Sequence, residues 1–213
     1  MKKDKIVEIV TMALFTISSG FVDAYSFICR GGLFVTMQTG NIIKFFIELT
    51  KGNFILIFLL PIIFFVLGCV LSILLSKNKY NEIIVILSLL LSTIISGLCP
   101  NTGVYNLICV SILSFVFAMQ FQVFRSCLST NYTSTMCTNN LRLMSEKLVE
   151  KDKTFFLYLS VIICFSIGCV LGTLFYNLMN YYSVIVLSAI YLIILIIRFP
   201  FKKDKTIDST SDI

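Results

Sequence analysis

Gly31-Gly32-Leu33-Phe34-Val35-Thr36-Met37-Gln38-Thr39-Gly40-Asn41 is a polar, glycine-rich interruption in an otherwise apolar chain. It follows a long apolar run that carries Asp23, and it has a weaker echo in Thr135-Met136-Cys137-Thr138-Asn139-Asn140. Glycines and amides in such a run leave backbone N–H and C=O groups without helical partners. At membrane depth that is tolerated only where the segment is buried in protein or lines water. The stretch therefore marks where a site would lie, and the runs around it decide the fold.

Of the 213 residues, 58% are apolar and 13% charged, against about 25% charged in a soluble domain. Several runs reach the roughly 20 residues that cross a bilayer. An all-α transmembrane protein is predicted, with the lipid bilayer as its first partner. The net charge of +6 comes from Lys and Arg at the ends of apolar runs. There they orient the protein and meet anionic headgroups, so no nucleic-acid partner is expected. The chain has no His, and its eight Cys include no C-x-x-C pair. No metal site and no cofactor are expected, and the thiols read as small buried hydrophobes. Met1 to Lys5 and the apolar run behind them read as a retained span, because no small-x-small cleavage site follows.

Working outward gives six spans: Ile6 to Ile28, Asn53 to Ser76 with Pro61 inside, Ile83 to Cys99, Val104 to Val123, Phe155 to Tyr176 and Tyr181 to Ile197. Pro61 removes one ladder hydrogen bond and predicts a kink. Two shorter amphipathic helices are predicted at 42–49 and 141–149, re-entrant or interfacial. Each has an i,i+4 ion pair, Lys44 with Glu48 and Arg142 with Glu146, and Thr39 or Asn41 is placed to cap the first. Residues 1–200 form one transmembrane domain, and the charged, serine-rich 201–213 reads as a disordered cytoplasmic tail.

With the N-terminus inside, all 17 Lys and Arg except Arg30, Lys44 and Lys51 fall on the cytoplasmic side. That bias fits six spans with both termini in the cytoplasm. The halves also match. Phe65, Gly68, Cys69, Val70, Leu71 and Leu74 align with Phe165, Gly168, Cys169, Val170, Leu171 and Leu174, and Thr36, Met37, Thr39 and Asn41 with Thr135, Met136, Thr138 and Asn140. Three spans per repeat (about 6–99 and 104–199) make the second copy inverted, a recurring transporter plan with its site between the repeats.

Gly20-Phe21-Val22-Asp23-Ala24, Gly31-Gly32-Leu33-Phe34-Val35 and Gln38-Thr39-Gly40-Asn41 together resemble the YoaK-like family of small bacterial multi-pass membrane proteins, a domain of unknown function. The family carries a Gly-aromatic-Val-Asp-Ala stretch, then Gly-Gly-Leu-Phe-Val and a Met-Thr-Gly-Asn-like element; here Gln38 stands before Thr-Gly-Asn. Its second half carries Met-Gln-Asn-Ala and Thr-Gly, where this chain has Met119-Gln120-Phe121-Gln122 and Thr138-Asn139-Asn140. The resemblance implies a bacterial inner-membrane protein and brings no activity with it.

Asp23 is the carboxylate deep in an apolar run, and such an acid needs a reason. It reads either as a proton- or cation-coupling group, or as a structural acceptor for the glycine-rich break or a partner of Arg30 or Arg125. Thr39-Gly40-Asn41 and Thr138-Asn139-Asn140 each open a short helix whose free N–H groups suit a polar solute, or else cap themselves. Gln38 precedes the first of these, and Gln120 and Gln122 end span 4, lining the same cavity or bonding between helices. Gly168 and Gly172 allow close packing between the repeats or across a homodimer. A small secondary transporter or channel for a small solute or ion is the leading expectation, and a non-transporting component acting through protein contacts the alternative. An enzyme is not expected, since no nucleophile has a base nearby and G-x-S-x-G is absent.

Overall fold

The eleven residues from Gly31 onward end one helix and begin another. In a computed structural model, which describes residues 2–53 and 56–208, α1 (Lys2–Cys29) runs unbroken up to them. Its interior hydroxyls do not disrupt it, because Thr16, Ser18, Ser19 and Ser26 donate back to carbonyls three or four residues earlier. Gly31 and Gly32 then take φ of +78° and +72°, which side chains rarely adopt. The chain turns out of α1 here, and α2 (Gln38–Thr50) begins six residues later.

The remaining elements are α3 (Leu56–Leu74), a 3-10 turn at Leu75–Lys77, α4 (Asn81–Leu98), α5 (Gly103–Val123), the two-residue strands β1 (Ser126–Cys127) and β2 (Thr130–Asn131), α6 (Cys137–Val149), α7 (Phe155–Met179), a 3-10 segment at Asn180–Ile185, and α8 (Val186–Asp208). Among the described residues, five helical stretches are long and apolar enough to cross a membrane, and the fifth, Phe155–Arg198, takes in α7 and α8 as far as Arg198. On α3, Ile63, Val66, Leu67, Val70, Ile73 and Leu74 all stand exposed. An apolar face of that length has lipid as its natural solvent. The chain is a membrane protein.

Packing follows the small residues. α1 lies along α7, α3 along α5, and α4 against α8. Without a hydrophobic drive between helices in lipid, backbones must come close to gain contact. Gly20 of α1 faces the Phe165 carbonyl of α7, Gly168 faces Ile17, and Gly68 of α3 faces Phe115 of α5. Gly172 faces Phe21 in the same way, so both glycines named for close packing are used within one chain, against α1. The core between these pairs holds Phe15, Tyr25, Phe117 and Tyr191.

Pro61 lies inside α3, in its second turn, as expected. Several other expectations shift. The short helices begin four residues earlier than predicted, which places Thr39, Asn41, Thr138, Asn139 and Asn140 inside their first turns. Lys44 does not pair with Glu48. Its Nζ donates to the Gly32 carbonyl, while Glu48 binds Lys51 and Asn53. Arg142 and Glu146 do pair. α8 runs on to Asp208, past the start of the expected tail, and residues 209–213 of that tail lie outside the described residues.

Contacts sort the loops to two ends. At one end Leu128 N–H of the hairpin donates to Glu8, Tyr158 Oη to Asn131, and Arg198 binds Glu82. Arg30 and the 180–185 segment mark the other, where Tyr25 Oη donates to the Tyr181 carbonyl.

Candidate functional site

Asp23 lies two turns before the end of α1 and is 2% exposed. Gly31 and Gly32 fold the break back beside it. The Val35 and Thr36 N–H groups then donate to its Oδ1 at 2.9 and 2.8 Å, and Oδ2 meets the Thr36 hydroxyl. The second break arrives at the same point, because Thr36 Oγ1 lies 3.1 Å from the Thr135 carbonyl oxygen. Thr36 thus has one proton and two acceptors. With Asp23 ionised, the hydroxyl donates to the carboxylate. With Asp23 protonated, the carboxyl donates to Thr36, which is then free to donate to Thr135.

Each break is clamped to the helix that follows it in the same manner. Asn41 Oδ1 accepts from Phe34 N–H at 2.9 Å, and its Nδ2 donates to the Phe34 carbonyl at 2.7 Å. Asn140 does the same to Thr133, at 3.2 and 2.6 Å. Gln38 extends the first clamp, accepting from Asn41 and donating to Val35. Asn140 and Asn139 extend the second through the Met136 carbonyl and the Thr133 hydroxyl. Neither helix has a side-chain N-cap at Met37 or Met136. The amides bond to loop backbone instead, because a break buried at 0% exposure on both Asn residues has no water to satisfy it.

Gln120 completes the cluster from α5. Its Nε2 donates to Ser19 Oγ at 3.1 Å and to the Phe15 carbonyl at 3.3 Å, with Ser134 Oγ at 3.5 Å. Its Oε1 and the Thr135 hydroxyl are buried without a partner. Gln122 does not share this space. Two residues apart on a helix are neighbours on nearly opposite faces, and Gln122 lines a separate cavity between α3, α4 and α5.

The predicted site therefore divides. Asp23, Gln38, Asn41, Gln120 and Asn140 converge inside, Gly40 packs under the Phe34 ring, and Thr39, Thr138 and Asn139 are exposed at the helix starts. Thr36, Thr135 and Ser19 belong to it, and only the match between the two halves pointed to the threonines. Arg30 does not pair with Asp23. Fully buried, it donates to Tyr25 Oη, Asn106 Oδ1 and the carbonyls of Ser96, Cys99 and Pro100, closing the exposed C-terminal carbonyls of α4. Arg125 is exposed and also lies away from Asp23.

The sequence profile described as protein of unknown function (DUF1275) matches residues 11–197. The chain belongs to this family. No curated protein and no solved structure matches it. The matched span takes in both breaks of this DUF1275 protein, Asp23, α2 to α7 whole, and α1 and α8 in part.

Proposed function

We propose that this DUF1275 protein is a small secondary transporter or channel, not an enzyme, built from two inverted three-span repeats. It would cross the bacterial inner membrane six times, with both termini cytoplasmic. Six spans follow from reading α7 and α8 as separate crossings. The repeat reading is supported by the equivalent clamps of Asn41 and Asn140, 99 residues apart, and by the matching glycine contacts of Gly68 and Gly168. The orientation is supported by the charge bias, since Lys77, Lys79 and Arg125 gather at the hairpin end with the N-terminal lysines.

One observation carries the transport reading. The two polar breaks meet at Thr36 and Thr135 beside a buried acid, with the Gln120 side-chain Oε1 and the Thr135 hydroxyl left unpartnered among the described residues. Buried polar atoms without partners are rare, and a solute or ion passing between the breaks would satisfy them. Asp23 couples the step to a proton. Protonated, it frees Thr36 to hold the second break, and ionised, it takes the Thr36 proton back. The thiols of Cys137 and Cys169 are the titratable neighbours of Asp23, while Arg30 is engaged elsewhere.

The test is reconstitution in liposomes, with proton movement and solute flux compared between wild type and Asp23→Asn. An Asn can accept both N–H groups on its Oδ1 and donate permanently to Thr36. The fold is kept, the breaks stay joined, and flux falls to background. Unchanged flux would remove Asp23 from the mechanism. One observation favours the second reading, a non-transporting membrane component: both oxygens of Asp23 are already engaged by the break itself, through the Val35 and Thr36 N–H groups and the Thr36 hydroxyl, as in a structural acceptor. Absence of flux across a broad solute panel would support it.

A further inference from the structure

A cavity of about 540 Å³ opens where the C-terminal ends of α3 and α5 meet the start of α4, apart from Asp23 and the breaks. That volume is in the range that holds a small molecule. Ser72, Lys79, Asn81, Glu82, Gln122 and Arg125 line it. Ser72 is 1% exposed and Asn81 9% exposed, and the Ser72 hydroxyl and the Asn81 Oδ1 have no partner among the described residues. The charges on the wall do not cancel. Glu82 is already bound by Arg198 at 2.8 Å, whereas Arg125 has no ion pair among the described residues and Lys79 rests over the Tyr80 ring. The cavity also sits at the N-terminal end of α4, an 18-residue helix whose dipole favours negative charge there.

We infer that this cavity binds a phosphate group that carries a neighbouring hydroxyl. The two uncompensated cations ask for an anion. The hydroxyls of Ser72 and Ser76 with the amides of Asn78 and Gln122 offer more donors than the two oxygens of a carboxylate take up. Asn81 Oδ1 is an acceptor, so the ligand must bring a donor of its own, and a hydroxyl beside the phosphate supplies it. Two sources share this chemistry: a free polyol phosphate and the headgroup of a phosphatidylglycerol lipid. The site stands independently of transport through the breaks.

The experiment uses the full chain in nanodiscs. In phosphatidylcholine discs, glycerol 3-phosphate is titrated calorimetrically, with inorganic phosphate as the probe that lacks the hydroxyl. In a second arm the protein is purified from phosphatidylglycerol discs and retained lipid is counted by native mass spectrometry. Saturable binding of glycerol 3-phosphate, tighter than inorganic phosphate, identifies a free solute; selective retention of phosphatidylglycerol identifies the lipid. In whichever arm binds, Arg125→Gln weakens binding about tenfold or more, by loss of a charge-assisted contact. Ser72→Ala weakens it several-fold while leaving thermal stability unchanged, because that hydroxyl has no partner in the chain. Absence of binding in both arms, or binding that neither variant weakens, overturns the inference.

Discussion

Gly168→Ala tests how the bundle is held. A Cβ at Gly168 would lie 2.1 Å from the Ile17 carbonyl oxygen and 2.9 Å from Phe21 N, both backbone atoms of α1. Ordinary contact begins at 3.4 Å, and backbone of a packed helix cannot turn aside as a side chain can. The axes of α1 and α7 must therefore part by roughly 1 Å, which forfeits a quarter to a half of the dispersion energy along the seam. The expected cost is about 2–3 kcal/mol, on the order of a hundredfold in the folded-to-unfolded ratio. Gly20→Ala should cost a similar amount, because its Cβ would stand 2.1 Å from the Phe165 carbonyl across the same seam. Once one substitution has opened the gap, the second meets less resistance, so the pair should be sub-additive. Gly68 sits in the α3–α5 seam instead, 2.1 Å from the Phe115 carbonyl, and should add fully to Gly168→Ala. The chain has no Trp, so reversible unfolding in mixed micelles is followed by circular dichroism. A Gly168→Ala protein within 0.5 kcal/mol of wild type, or full additivity of the Gly20 and Gly168 substitutions, would refute the close-packed seam.

Asn41→Ala and Asn140→Ala should each lower stability by about 2–4 kcal/mol, since each strands the N–H and C=O of a buried or half-buried loop residue; the same unfolding titration checks this, and losses of similar size are expected from the like geometry. In the turn before α7, the Thr154 N–H donating to Asp152, with Lys147 beside it, holds that carboxyl below the usual carboxylate range. Its folded value lies below its unfolded one, so its contribution is complete above the ordinary carboxylate pKa and is lost as pH falls through the lower, folded value. Hydrogen exchange of residues 149–154, corrected for intrinsic rates, should accelerate over that acid window in wild type and lose the dependence in Asp152→Asn.

The helices were legible because apolar runs of span length have few other uses, and the limits of the first five spans hold to within about four residues; the sixth, expected over Tyr181 to Ile197, instead opens as a 3-10 segment and becomes α8 only at Val186, running on to Asp208. The starts of the short helices were not. Asn and Thr at a helix start usually cap it, but here the break is buried and its backbone claims the amides first. The hairpin at 126–131 left no signal, because its turn places Leu128 and Ser129 at φ of 51° and 64°, without the Asn or Gly that marks such turns. Gln120 and Gln122 show the limit of composition: both are polar and both end the same span, and only helical phase separates them. Arg30 was read as a candidate counter-ion because it ends an apolar run. Its partners are three carbonyls from 66 to 70 residues away, the Asn106 side-chain oxygen 76 residues away and a tyrosine about one turn back, which spacing alone does not reveal.

Asp23, in α1, and Arg30, the residue just past its end, stand about two turns apart, about 10 Å along the axis, and yet do not need each other. Each is neutralised by dipoles: Asp23 by the amides of the break that follows it, Arg30 by the carbonyls that end α4. The division has a mechanical consequence. Break 1 is fixed to α1 by three hydrogen bonds to Asp23 and to α2 by the Asn41 clamp. Break 2 is fixed to α6 by Asn140 and to α5 through Gln120. Between the breaks runs the hydrogen bond from Thr36 to Thr135. Parting one break from its own helix exposes several buried backbone groups at about 1–3 kcal/mol each, while parting the breaks from one another costs that bond, about 1 kcal/mol net, and some packing. Of these separations the cheaper therefore runs between Thr36 and Thr135, and under the proposed coupling the proton on Asp23 would decide whether the bond that closes it can form.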